Sequence, residues 1–167
     1  MLLVSLRLAA ALLVGSSAAM SGDYDQVIAA VKKAWPERTK VAIVCDQAQS
    51  MGAIQAMAGA AAGMKIIVVD VKGPQDMGKA LGTLTSQKPD VVVLVAGDRV
   101  AGDGSAAATF IIQRLAGQKV PVAATSEAGV KQGAVLAIGA GTGGKLLVNA
   151  KAAAAVGVTP PEGGTQI

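Results

Sequence analysis

Five short apolar runs punctuate the chain, at 40–45, 65–71, 90–95, 120–124 and 134–138, and each ends on a Gly or a polar crest. They are rich in Val and Ile and do not alternate with polar residues. Runs of this kind read as strands buried on both faces of a sheet. Successive runs start about 25 residues apart, and most gaps hold a helix-length segment, the signature of βαβ units. The pattern predicts an α/β three-layer sandwich around a five-stranded parallel sheet, with strand order 2-1-3-4-5. In open sheets of this type ligands sit beyond the carboxyl ends of the strands.

Helical spacing fills the gaps. The segment 23–35 carries Val27, Ile28 and Val31 on one stripe, with Asp23 as its expected cap, Gln26 three residues on, and Pro36 as its stop. The segment 49–63 places Met51, Ile54, Met57 and Ala58 on one face, weakened by Gly52, Gly59 and Gly63. A helix over 75–86 follows Gly73-Pro74. Another starts from Asp103 or Ser105 and runs through Leu115 to Gly117. The Gly-rich loop 139–144 is expected to open a last helix over 146–156, and the Pro/Gly-rich tail 161–167 to be loose. No internal repeat is evident.

At 167 residues the chain suits one domain, and 52% apolar content is enough for a sizeable core. One Trp, one Tyr and one Phe leave that core to Val, Ile, Leu, Ala and Met. Net charge is +4, but no Lys/Arg run exceeds Lys32-Lys33. Scattered basic charge with so few aromatic stacking platforms argues against nucleic-acid binding. The absence of His removes Ser-His-Asp and Cys-His catalysis and His-based metal sites. No paired catalytic carboxylates stand out. The chain is therefore read as a non-enzyme with no metal and no cofactor. The single cysteine, Cys45, ends the first strand and reads as a buried thiol acting as a small hydrophobe.

The amino terminus bears on location. Arg7, the apolar stretch 8–14 and the small residues 15–19 have the layout of a secretory signal cleaved near Ala19. The stretch is short for a membrane span. The expected place is periplasmic or extracytoplasmic, or cytoplasmic if Met20 is the true start. The chain thus divides into a signal-like segment 1–19, one α/β lobe 20–160 and the tail 161–167.

Polar residues at the strand crests are the site candidates. Asp46, Gln49, Ser50, Asp98, Ser126 and Glu127 are the expected ligand contacts, with Gln47, Lys72 and Arg99 beside them. Solvated loop polarity is the plain alternative for each. Asp46 as a receiver-type phosphoacceptor would want an acidic cluster before it and a lysine on the last strand, which carries no charge. The loop Gly139-Ala140-Gly141-Thr142-Gly143-Gly144-Lys145 offers a phosphate- or nucleotide-binding alternative, since backbone N–H groups at a helix start can hold an anion. Its anion contacts would be Gly139, Gly141, Gly144 and Lys145. Against it, Leu146 replaces the Mg²⁺-ligating hydroxyl of a P-loop, and the loop follows the last strand instead of the first.

A set of segments in a fixed order resembles a known family. They are Trp35-Pro36 followed by the strand at 40–44, the helix 76–84 with Ala80-Leu81, and the strand at 90–98 with its crest Asp98. Val120-Pro121-Val122, Gly133 to Ala137, Asn149 with Lys151 and Ala153, and Gly157-Val158-Thr159-Pro160 complete the series. Across 25–160 the chain resembles the extracytoplasmic substrate-binding proteins of ABC transporters, in the branch of tryptophan- and tyrosine-type uptake. Members have two lobes that close on a ligand, and only the second lobe is recognisable here. A helix and crossover after the last strand are missing, and Gly141-Thr142 stand where the family often has Asp-Tyr. The resemblance implies a single lobe of a type I periplasmic-binding-protein fold and an ancestry of small, amino-acid-like ligands. It also implies an ABC permease, a homodimer or a separate partner lobe as partners. An interaction or dimerisation module without ligand is the alternative.

Overall fold

The computed structural model describes residues 21–167. The signal-like segment, its cleavage near Ala19 and the alternative start at Met20 lie outside those residues. The chain opens with α1 (Ser21–Ala34), β1 (Lys40–Cys45), α2 (Met51–Ala60) and β2 (Lys65–Asp70). A 3-10 turn (Pro74–Asp76) leads into α3 (Met77–Gln87), then β3 (Val91–Leu94) and α4 (Ala106–Gly117). β4 (Val122–Ser126), α5 (Glu127–Gln132), β5 (Leu136–Gly141), β6 (Leu147–Val148), α6 (Ala150–Val156) and β7 (Thr165–Gln166) complete it.

The first five strands are parallel and stand in the expected order β2-β1-β3-β4-β5. The sheet then continues, so the expected five strands become seven. β6 returns antiparallel to β5, pairing Leu136 with Val148 and Ala137 with Leu147. β7 adds parallel to β6. The expected helix over 146–156 therefore begins only at Ala150, and the expected loose tail holds an edge strand. Left-handed backbone at Gly143 and Gly144, φ 62° and 74°, reverses the chain where a helix was anticipated.

Consecutive residues on the central strands face opposite layers, and both layers are apolar. Ala42, Val44, Val92 and Leu94 pack with α3 and α4, whereas Val41, Ile43, Val91 and Val93 pack with α1 and α2. β3 lies between β1 and β4 and is wholly buried. β2 departs from the doubly buried expectation. It is the edge strand, so Ile66, Ile67 and Val68 remain half-buried.

Capping follows the side chains in detail. α1 is already helical at Ser21, so Asp23 lies within its first turn and is not its cap. Of the two candidate caps for α4, Ser105 takes the role, its Oγ accepting from Ala108 N at 3.0 Å. Asn149 caps α6 by accepting from Ala152 N at 2.8 Å, and its Nδ2 donates to Val130 O at 3.1 Å. Trp35 donates from Nε1 to Thr159 O at 3.0 Å, fastening the segment after α6 to the end of α1.

Candidate functional site at the carboxyl edge of the sheet

Parallel strands β1 and β3 are neighbours, so their crests emerge side by side. Asp98, in the turn after β3, is the knot between them. Its Oδ2 accepts from Asp46 N at 2.7 Å and from Ser50 Oγ at 2.7 Å. Its Oδ1 accepts from Val100 N at 3.0 Å and Ala101 N at 2.9 Å. The residue is 7% exposed, and those donors replace the water that a buried carboxylate loses. Gly102 lies against the Asp98 backbone so closely that a Cβ there would collide with the Asp98 carbonyl.

Arg99 joins the cluster from outside. Its Nη2 lies 2.8 Å from Asp46 Oδ2, and its backbone N donates to Gln49 Oε1 at 3.0 Å. Asp46 is buried, while the Arg99 side chain is 66% exposed. Four of the six expected contacts, Asp46, Gln49, Ser50 and Asp98, are thus gathered in one hydrogen-bonded unit. Within it Asp98 is spent on the fold, because both of its oxygens are fully engaged. Arg99 presents the remaining guanidinium donors outward, in the fork geometry that suits a carboxylate.

Ser126 and Glu127 form a second group at the junction of β4 and α5. Ser126 is half-buried and makes no side-chain cap to α5, and exposed Glu127 pairs with Lys131 one turn on. Their neighbour Asp103 carries a burden that the sequence reading did not assign to it. Asp103 Oδ2 accepts from Thr125 N at 2.9 Å, but Oδ1 is buried without a well-formed hydrogen bond. Burial pushes its carboxyl up from 3.8 to about 6, with hydrogen bonding from Thr125 and Ser126 offsetting part of the effect. Thr125 also ties this crest to β3, its Oγ1 accepting from Ala96 N at 2.7 Å. Gly129 lets α5 approach: a Cβ there would collide with Ala124 and press on the Asp103 carboxylate. The flanking Gly102 and Gly104 were the signal that Asp103 occupies a tightly folded loop.

The Gly-rich segment at the end of β5 does not form an anion cradle. It leads into β6, so no helix N-terminus follows Lys145. Its amides are already committed: Gly139 N donates to Thr142 Oγ1 at 3.2 Å, Gly143 N to Ala140 O at 3.0 Å and Gly144 N to Gly139 O at 3.0 Å. Gly141 lies so close to Ser126 that a side chain there would collide with it. Gly139 and Gly141 thus end β5, Gly144 and Lys145 belong to the reversal into β6, and the nucleotide reading loses the geometry on which it rested.

Cys45 lies beneath the first crest, buried and free. Its thiol is pushed up to about 12, chiefly by burial and then by the carboxylates of Asp98, Asp70 and Asp46. Such a thiol is un-ionised at neutral pH and a poor nucleophile, in keeping with its reading as a small hydrophobe. Among the described residues no group of three His, Cys, Asp or Glu is placed to hold a metal ion. No described helix is long and apolar enough to cross a membrane. No protein-family model matches the chain, and no curated protein matches it significantly.

Proposed function

We propose that this chain is a non-enzymatic, exported binding lobe, related to ABC-transporter substrate-binding proteins, which presents one wall of a cleft for a small amino-acid-like ligand. The observation that carries the reading is the Asp98 knot. It fixes the crests of β1 and β3 before any ligand arrives, and it leaves the Arg99 guanidinium exposed above Asp46. A preformed surface loses little entropy on binding. The ligand carboxylate would meet Arg99, and its ammonium would meet Ser126 and Glu127 across the edge. A single wall leaves the ligand about half exposed, so affinity in the millimolar range is expected until a second lobe or a second copy closes over it.

Light scattering combined with an amino-acid thermal-shift screen tests the reading. Weak stabilisation by amino acids that strengthens on self-association supports it. A strict monomer that no amino acid stabilises removes it. The alternative, an interaction module without ligand, draws on the extent to which Asp46, Gln49, Ser50 and Asp98 satisfy one another. A dimer insensitive to every amino acid, and lost on Arg99→Glu, would favour that alternative.

A further inference from the structure

We propose that the groove between α1 and the segment following α6 is a second binding site, for a small zwitterion with a compact apolar body. Each of β1 to β4 is followed by a helix that covers the sheet, whereas β5 is followed by strand β6. The α1 side of β5 is consequently left with a recess of about 490 Å³, within the size range of small-molecule sites. Ile138 and Leu146 belong to the lining and are only half-buried. Ala30 and Ala34 of α1 line one side, and Pro160 and Pro161 the other.

The second wall is held in place. The Trp35 indole donates to Thr159 O, and Val158 N donates to Ala153 O at 3.0 Å. The two prolines stiffen the backbone that follows. The apolar lining selects an apolar body, and the charges select its ends. Lys33 and Glu162 both line the groove, and neither belongs to an ion pair among the described residues. One free ammonium and one free carboxylate over an apolar floor match a molecule that carries one charge of each sign. A singly charged molecule would leave one of them without a counterpart.

The test uses the purified protein and three probes of one shape: leucine, 4-methylpentanoate, which lacks the ammonium, and 3-methylbutylamine, which lacks the carboxylate. Amide and methyl resonances of Ala29, Ile138, Leu146 and Thr159 report on the groove. Leucine is expected to shift them saturably, and each singly charged probe to bind about fivefold more weakly or worse. Lys33→Gln should weaken leucine about fivefold and leave 3-methylbutylamine unchanged. Glu162→Gln should do the same to leucine and leave 4-methylpentanoate unchanged. Both substitutions lie at exposed positions, so the fold is retained. Ala29→Trp, from an exposed position on α1, should fill the groove and abolish binding. Saturable shifts confined to Arg99, Ser126 and Glu127 would overturn the groove while leaving the crest reading intact. Binding at the groove that ignores both charge substitutions would equally overturn the proposal.

Discussion

Two aspartates at the same edge of the sheet meet their surroundings in opposite ways: Asp98 is buried, and Asp103 is half-buried with one oxygen shut away from water. Asp98, above β3, has both carboxylate oxygens filled by donors from two loops. Asp103, further along the same loop, has one oxygen on Thr125 N and the other buried without a well-formed hydrogen bond, with Ser126 its nearby donor. Burial penalises a carboxylate, and donors that replace the lost water offset that penalty. One half of the edge is thus locked, and the other holds a carboxylate whose ionisation is costly.

The largest effect is expected from Asp98→Ala. It would orphan Asp46 N, Ser50 Oγ, Val100 N and Ala101 N together, at a cost of about 3–5 kcal/mol of folding stability. Urea denaturation measures it, and a loss below about 1 kcal/mol would show that water replaces the carboxylate without difficulty.

Asp103→Asn is expected to act in the opposite direction. Because the folded carboxyl titrates near 6 against 3.8 for an ordinary one, the folded state holds its proton more tightly than the unfolded state. That contribution is fully favourable below about 3.8 and is lost as pH rises through about 6. Asparagine keeps an acceptor for Thr125 N and removes the charge. The variant should therefore be more stable than the parent at pH 7.5 by about 1–2 kcal/mol, and the difference should vanish near pH 4. Melting curves across that range decide it, and a variant less stable at pH 7.5 would refute the assigned cost of the charge.

Thr125→Val acts where the two halves of the edge meet. It leaves Ala96 N without an acceptor while preserving shape, so a loss of about 1–2 kcal/mol is expected. Hydrogen exchange should show the Ala96 amide opening while Asp46 and Val100 stay protected. Equal loss of protection at all three would mean that the two halves of the edge behave as one unit.

The fold was legible where apolar runs alternate with helix-length segments. β1 and β3 announced themselves as Val- and Ile-rich runs without polar alternation, and their neighbours follow from the βαβ rule. β6 and β7 were not legible. Leu147–Val148 and Thr165–Gln166 are too short to carry a period; helical spacing from Ala150 onward extends backwards over the first, and the second lies in a Pro/Gly-rich tail that reads as loose. The Asp98 cluster was legible as a set of crest residues, but not as a knot. Composition shows which polar groups reach the edge, whereas which of them satisfy one another depends on loop geometry. In the sequence Asp103 reads as a helix cap beside Ser105, because the close approach of Gly129 and the burial of its Oδ1 depend on loop packing.

On the proposed reading, the edge is a preformed wall for an amino-acid-like ligand. Backbone NMR of the protein during titration with a mixture of amino acids tests it most directly. A preformed wall should give shifts at the amides of Arg99, Ser126 and Glu127, with those of Asp46, Val100 and Ala101 fixed because Asp98 already holds them. No shift along this edge at about 50 mM ligand, beyond the weak affinity that one wall allows, or movement spread through Asp46, Val100 and Ala101, would contradict it.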